Sequence, residues 1–259
     1  MRRTQTLILG CLFLPALGFA QSAFNGTWRP DPQKPTHEKP EVTVLTHGDY
    51  ECHSCTPPYK VKADGHDQPV AGNPYFDSIM ITVIDDRTVA KTAKRGGTVA
   101  VYSKETVAAD GAHKTEVETL IGMAPVPIEL TSKFSRISAG APGTHPVSGT
   151  WQITEMDVSN HAEDTTFKVS GATLSMTDRM GRSFTAKLDG TEAPYKGSDE
   201  FDRVSLKLID DKTIEESDLK NGKVVKISRW ALAPDGRTLH ARFDDTHGHI
   251  QEQDGHKVQ

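Results

Sequence analysis

The residues whose types and spacing could do chemistry centre on Cys52-His53-Ser54-Cys55. Two thiols at this spacing can form half of a zinc site, a redox pair or a short disulfide. A haem attachment motif needs histidine directly after the second cysteine, and Thr56 stands there. A redox pair gains its low thiolate pKa at a helix start. Here Thr56-Pro57-Pro58 leads into strand-like sequence. Two readings remain open: a disulfide or inert pair, and a metal site in which Cys52 and Cys55 are joined by His53, His47 or His66. Thiolate and imidazole donors would select zinc or a copper-type ion over calcium. A second cluster, His247-Gly248-His249 beside Asp244 and Asp245, could chelate if extended, since alternate side chains share a face. Its polar surroundings near the chain end read as solvated sequence instead.

Nothing assembles into a catalytic set. Asp85-Asp86 and Asp210-Asp211 read as turn carboxylates capping backbone donors. Ser148 and Ser228 have no identifiable base, and no Gly-x-Ser-x-Gly elbow is present. The expectation is therefore a protein that binds rather than catalyses. The tryptophans Trp28, Trp151 and Trp230 are the candidate barrel-closing or ligand-contacting residues.

The chain has 259 residues with 30 Lys and Arg against 35 Asp and Glu. Arg2 and Arg3 precede an apolar run ending at Gly18 and Ala20, the pattern of a secretory signal peptide cut after residue 20. The run is interrupted by Pro15 and is short for a bilayer span, so no stable membrane span is expected after cleavage. Without Arg2 and Arg3 the formal charge falls from −5 to near −7, which argues against nucleic acid or an anionic membrane surface as partner. The expected location is the periplasm or the secreted fraction, and the expected partner an apolar small molecule or an envelope protein.

What positions these residues is an internal repeat. Residues 60–103 match 185–228 at a constant offset of 125, sharing Phe76-Asp77 with Phe201-Asp202 and Ile84-Asp85-Asp86 with Ile209-Asp210-Asp211. Gly26-Thr27-Trp28 pairs with Gly149-Thr150-Trp151 at an offset of 123. At the longer offset Glu105 stands opposite Trp230, a difference that could face a cavity or equally leave an exposed aromatic. The expected division is a signal peptide (1–20), a first unit (21–138), a linker (139–147) and a second unit (148–259), each unit opening at its own Gly-Thr-Trp. Alternation over Ile79, Ile81 and Val83, and over Val204, Leu206 and Leu208, predicts strands. Gly96-Gly97, Asn221-Gly222 and the Asp-Gly pairs at 110 and 235 predict hairpins. An all-β protein of two tandem antiparallel meander β-barrels follows, of about eight strands each, because closure removes exposed edges. A merger of the repeats into one sheet structure is the other arrangement the short linker permits.

A Gly-x-Trp opening a β-meander resembles the lipocalin and fatty-acid-binding-protein class of calycin barrels. The longer segments YKVKADGHDQPVAGNPYFD and FTAKLDGTEAPYKGSDEFD, with IDDKTIEESDLKNGKVV, resemble exported bacterial lipocalin-like proteins of no assigned activity. The resemblance implies a barrel that takes an apolar ligand, its tryptophan closing one end under a late-strand arginine. Arg242 is the nearest such arginine in the second unit, and Val117 stands at its counterpart. Three functions remain: a non-enzymatic small-molecule binding protein, a structural or interaction module with closed barrels, and a metal-binding protein centred on Cys52 and Cys55.

Overall fold

The computed structural model describes residues 22–35, 39–122 and 125–258. The expected signal segment, with Arg2, Arg3 and Cys11, lies outside the described residues. Among those residues a short 3-10 turn, Ser22–Phe24, precedes twenty strands and no α-helix. The first eleven are β1 (Gly26–Pro30), β2 (Glu41–Thr46), β3 (Asp49–Cys52), β4 (Tyr59–Lys62), β5 (Asp67–Pro69), β6 (Ser78–Val83), β7 (Thr88–Arg95), β8 (Thr98–Val107), β9 (His113–Leu120), β10 (Ile128–Ala139) and β11 (Gly149–Val158). The rest are β12 (Thr165–Ser170), β13 (Thr173–Asp178), β14 (Ser183–Lys187), β15 (Asp189–Lys196), β16 (Arg203–Asp210), β17 (Thr213–Lys220), β18 (Lys223–Leu232), β19 (Thr238–Asp244) and β20 (Ile250–Lys257).

These strands form two antiparallel rings of ten, not about eight: the one built from β1 and β12 to β20 is closed by ladders throughout, and the other meets at β4 and β5 without a ladder between them. In barrel one the difference arises where the strands are shortest. β3, β4 and β5 have only three or four residues each, too few for alternation to stand out in sequence. The hairpins fall where positive φ was needed: Gly96 and Gly97 adopt 56° and 80°, Asn221 and Gly222 52° and 73°. Val204 and Leu206 point into the barrel as alternation requires, whereas Val83 is exposed at the end of its strand.

Ring membership cuts across the repeat boundaries, because the two opening strands are exchanged. β1 lies between β12 and β20 in barrel two, with Trp28 opposite Thr165 on one side and Lys257 on the other. β11 lies between β10 and β2 in barrel one, with Trp151 opposite Arg136 and Glu41. Barrel one is thus continuous in sequence, β2 to β11, while barrel two combines β1 with β12 to β20. At the β4–β5 seam of barrel one, turn residues bond to both flanks, Ala63 N–H to Gly48 O at 2.8 Å and Gly65 N–H to Ile81 O at 3.0 Å.

Each tryptophan is therefore core in the ring of the other repeat. Trp28 packs with Phe167, Leu174, Val204 and Leu239, and Trp151 with Leu45, Tyr50, Val107 and Phe134. Each indole N–H donates to the carbonyl four residues upstream, Trp28 to Phe24 and Trp151 to Val147. The motif satisfies its own polar group, so it fits either slot. The glycine is required at least at Gly149, where φ is +138° and a Cβ would collide with the Ser138 carbonyl oxygen. Along the crossing between rings, Gln33 and Met156 exchange two backbone hydrogen bonds of 2.7 and 2.9 Å, and Arg29 forks onto Asp164.

Candidate functional site

The interiors of the two barrels differ at equivalent positions. In barrel one, alternation along β9 turns Lys114, Glu116 and Glu118 to one face. Glu105 on β8 lies directly opposite Glu116, a like-charge pair that would be unfavourable alone. Lys91 resolves it by contacting Glu105 and, at 3.0 Å, Glu116. Lys114, with no exposed side-chain surface, holds Glu105 at 2.8 Å and Glu41 at 2.7 Å. Its ammonium lies over the rings of Phe134 and Trp151 at 4.4 and 5.5 Å. Burial alone would raise the Glu105 carboxyl, but the two lysines hold it down at about 2. Glu118 has no ion pair among the described residues, and burial with the neighbouring Glu116 charge, against the more distant pull of Lys91, raises it to about 7. The centre of barrel one is an ionic plug.

Barrel two replaces that plug at the offset of 125. Lys91 becomes Glu216, Glu105 becomes Trp230, Lys114 becomes Leu239, Glu116 becomes Ala241 and Glu118 becomes Phe243. The registers agree, since Lys91 pairs with Ser103 as Glu216 pairs with Ser228. The exchange leaves a cavity of about 190 Å3 lined by Trp28, Phe167, Met176, Tyr195, Glu216, Trp230, Leu239, Ala241 and Phe243 among others. Trp230 meets Phe167 and Phe243 edge to face, at 5.6 and 5.4 Å between ring centres. Its indole N–H donates to Glu216 Oε2 at 3.1 Å.

Glu216 and Asp218 are neighbours on the inward face of β17, 5% and 1% exposed. Neither Asp218 oxygen meets an N–H or O–H donor among the described residues. Glu216 is the neighbouring carboxyl, and protonated it would supply the missing donor. Burial, then the Asp218 charge, pushes Glu216 well above the usual carboxylate range, and burial raises Asp218 as well. Lys226 approaches Asp218 at 3.9 Å and stands 4.9 Å from the centre of the Phe243 ring.

The tryptophans named from sequence do not form one cluster. Trp28 and Trp230 line the same cavity in barrel two. Trp151 belongs to barrel one, under Arg136, whose guanidinium is 3.9 Å from the ring centre. The arginine over a tryptophan is therefore Arg136 and not Arg242, which stands 4.0 Å from Glu252. Over Trp28 the equivalent cation is Lys257, at 4.9 Å. The search for an arginine within the same repeat fails because the tryptophan is in the other ring.

Cys52 and Cys55 are joined by a disulfide, their Cα atoms 5.5 Å apart. Both sulfurs are consumed by that bond, so the zinc or copper-type site is overturned for this state of the chain. His53 turns outward to Glu51 at 2.8 Å, His66 towards Asp64, and His249 to Asp245. Among the described residues no group of three or more His, Cys, Asp or Glu is placed to hold a metal. Asp85 and Asp210 each accept the backbone N–H two residues on, at 2.9 and 2.8 Å. No helix among the described residues is long and apolar enough to cross a membrane.

The charged plug, Glu216–Asp218 and the strand exchange all escaped the sequence reading. The first two had a signal in the alternation of Lys114, Glu116, Glu118 and of Ile214, Glu216, Asp218, which places charges on an inward track. Comparison with protein-family models, curated proteins and solved structures found no match.

Proposed function

We propose that the chain is an exported, lipocalin-like binding protein that carries one small, largely apolar molecule in barrel two. The observation that carries this reading is the substitution of an ionic plug by an aromatic-walled cavity at matched positions of two similar rings. A dry apolar cavity of about 150 Å3 accepts a benzene ring, so about 190 Å3 holds one substituted ring, and past Glu163, Lys226, Phe243 and Gln253 the cavity adjoins an open cleft of about 880 Å3. The volume lies below the roughly 300 Å3 at which drug-sized pockets begin. Barrel one, filled by Lys91, Lys114 and their carboxylates, supports a structural role for that half. The Cys52–Cys55 disulfide accords with an oxidising compartment, the periplasm or the secreted fraction, and the matched repeats accord with duplication of one ancestral unit.

The test is native mass spectrometry of the protein purified from the exported fraction, alongside the variant Ala241→Phe, which fills the cavity from its wall. A small organic adduct on the wild-type chain that denaturation releases and the variant lacks supports the reading. A bare wild-type chain that also fails to take up small aromatic probes refutes it. An adduct that persists unchanged in a folded variant places the ligand elsewhere.

A further inference from the structure

The cavity wall carries cations and acids, and only the acids are left without counter-ions. Arg29 is engaged by Asp164 at 2.9 and 3.0 Å, Arg182 by Asp178 at 2.5 Å, and Lys226 by Asp218. Asp254, also on the wall, has His240 at 2.6 Å. Glu216 receives the neutral indole N–H of Trp230 and the contact with Asp218, and the Lys226 charge acts on it without forming an ion pair. Glu163 has no ion pair among the described residues, and burial pushes its carboxyl up. Both face the same space. An anionic ligand would have to break an existing ion pair to find a cation. A cationic ligand finds in Glu216 an acid with no ion-pair partner among the described residues, with which it can pair once the proton is released.

We infer that barrel two selects an organic cation, a primary or substituted ammonium on an apolar body of about one ring, with Glu216 as counter-ion and Trp230, Phe167 and Phe243 around the apolar part. This deepens the binding reading and rests on it. Aromatic faces favour ammonium groups through the ring quadrupole, and a carboxylate adds a charge-assisted hydrogen bond in a desolvated site. The carboxyl pair shields itself when empty by keeping a proton between Glu216 and Asp218. An entering ammonium takes that proton's place as donor, and the proton leaves to water.

The experiment is calorimetric titration of the full chain with three probes of matched size: phenethylamine, phenethyl alcohol and phenylpropionate. The amine should bind at least about tenfold more tightly than the alcohol, and the carboxylate most weakly. A hydrogen bond to a charged partner is typically worth a factor of roughly ten to a hundred, so Glu216→Gln should lose that factor for the amine and a distinctly smaller one for the alcohol, narrowing the preference between them. Should Glu216→Gln fail to fold, Glu163→Gln removes the other unpaired acid from the wall and should cut the same preference by a smaller factor. Equal or tighter binding of the alcohol or the carboxylate overturns the cation assignment while leaving a binding protein. Binding of none of the three overturns both.

Discussion

Replacing Trp28 by alanine should loosen the half of the chain that does not surround it in sequence. Trp28 is 3% exposed and packs against Phe167, Leu174 and Leu239 in barrel two, more than a hundred residues away. An aromatic side chain buries roughly 150–250 Å2, which at about 25 cal/mol/Å2 is about 4–6 kcal/mol. Truncations of buried aromatic residues to alanine cost about 3–5 kcal/mol after partial relaxation. At 1.4 kcal/mol per power of ten, that is a rise of roughly a hundred- to several thousand-fold in local opening. Hydrogen exchange followed by mass spectrometry reads such openings segment by segment. The amides of β12, β19 and β20 should lose protection while those of β2, β3 and β10 keep it. Trp151→Ala should do the reverse, exposing β2 and β10. If Trp28→Ala instead accelerates exchange in residues 41–62 and 128–139 and spares 165–178, the strands are not exchanged and the ring assignment fails.

Lys114→Met should cost barrel one about 3–5 kcal/mol, the usual result of stranding a buried counter-charge, because Glu105 and Glu41 lose their shared ammonium; denaturant unfolding measures it, and Lys114→Met with Glu105→Gln should recover a substantial part. Glu118, raised to about 7 from an ordinary 4.5, keeps a proton in the folded chain that the unfolded chain has released, so its contribution is full below pH 4.5 and lost as pH rises through 7. Unfolding midpoints taken from pH 4.5 to 7.5 should therefore fall with pH on its account, and Glu118→Gln should flatten that slope. Glu105 acts oppositely: its contribution is present above pH 4.5 and is lost as pH falls through about 2. Reducing the Cys52–Cys55 bond, which closes a loop of only a few residues, should lower stability by about 2 kcal/mol, seen as a shift in thermal midpoint with thiol reductant.

Local features were legible because they depend on few residues. Asn221-Gly222 turns the chain by its own backbone preference, and Asp85 and Asp210 cap their turns from side chains two residues away. The antiparallel, all-β class followed from alternation, which survives in the long strands β16 to β19. Strand partnership was not legible. Gly-Thr-Trp at 26–28 and at 149–151 carries the same pattern, and each tryptophan satisfies its indole locally, so nothing within either segment marks which ring it enters. Only the long-range contacts distinguish the slots: Arg136 and Lys114 over Trp151, Lys257 over Trp28. The candidate site was half legible for a similar reason. The pairing of Glu105 with Trp230 across the repeat marked the place where the lumens diverge, but its meaning depended on Lys91 and Lys114, which alternation alone puts in an improbable, buried location.

The exchange also bears on why one ring could open a cavity while the other closed. An interior void forfeits dispersion contacts and costs stability roughly in proportion to its size, and barrel two carries such a void beside two poorly compensated carboxyls. Were the rings independent, that cost would fall on barrel two alone. β1 is paired only within barrel two and β11 only within barrel one, but β1 leads on into β2 of barrel one and β11 leads on into β12 of barrel two, so withdrawing either opening strand pulls on a connection to the other ring. The Gln33–Met156 bonds and the Arg29–Asp164 fork tie the two connections together at that point. Releasing β1 from the hollow ring therefore also breaks contacts with β11 and the segment that follows it, which adds to the barrier against opening.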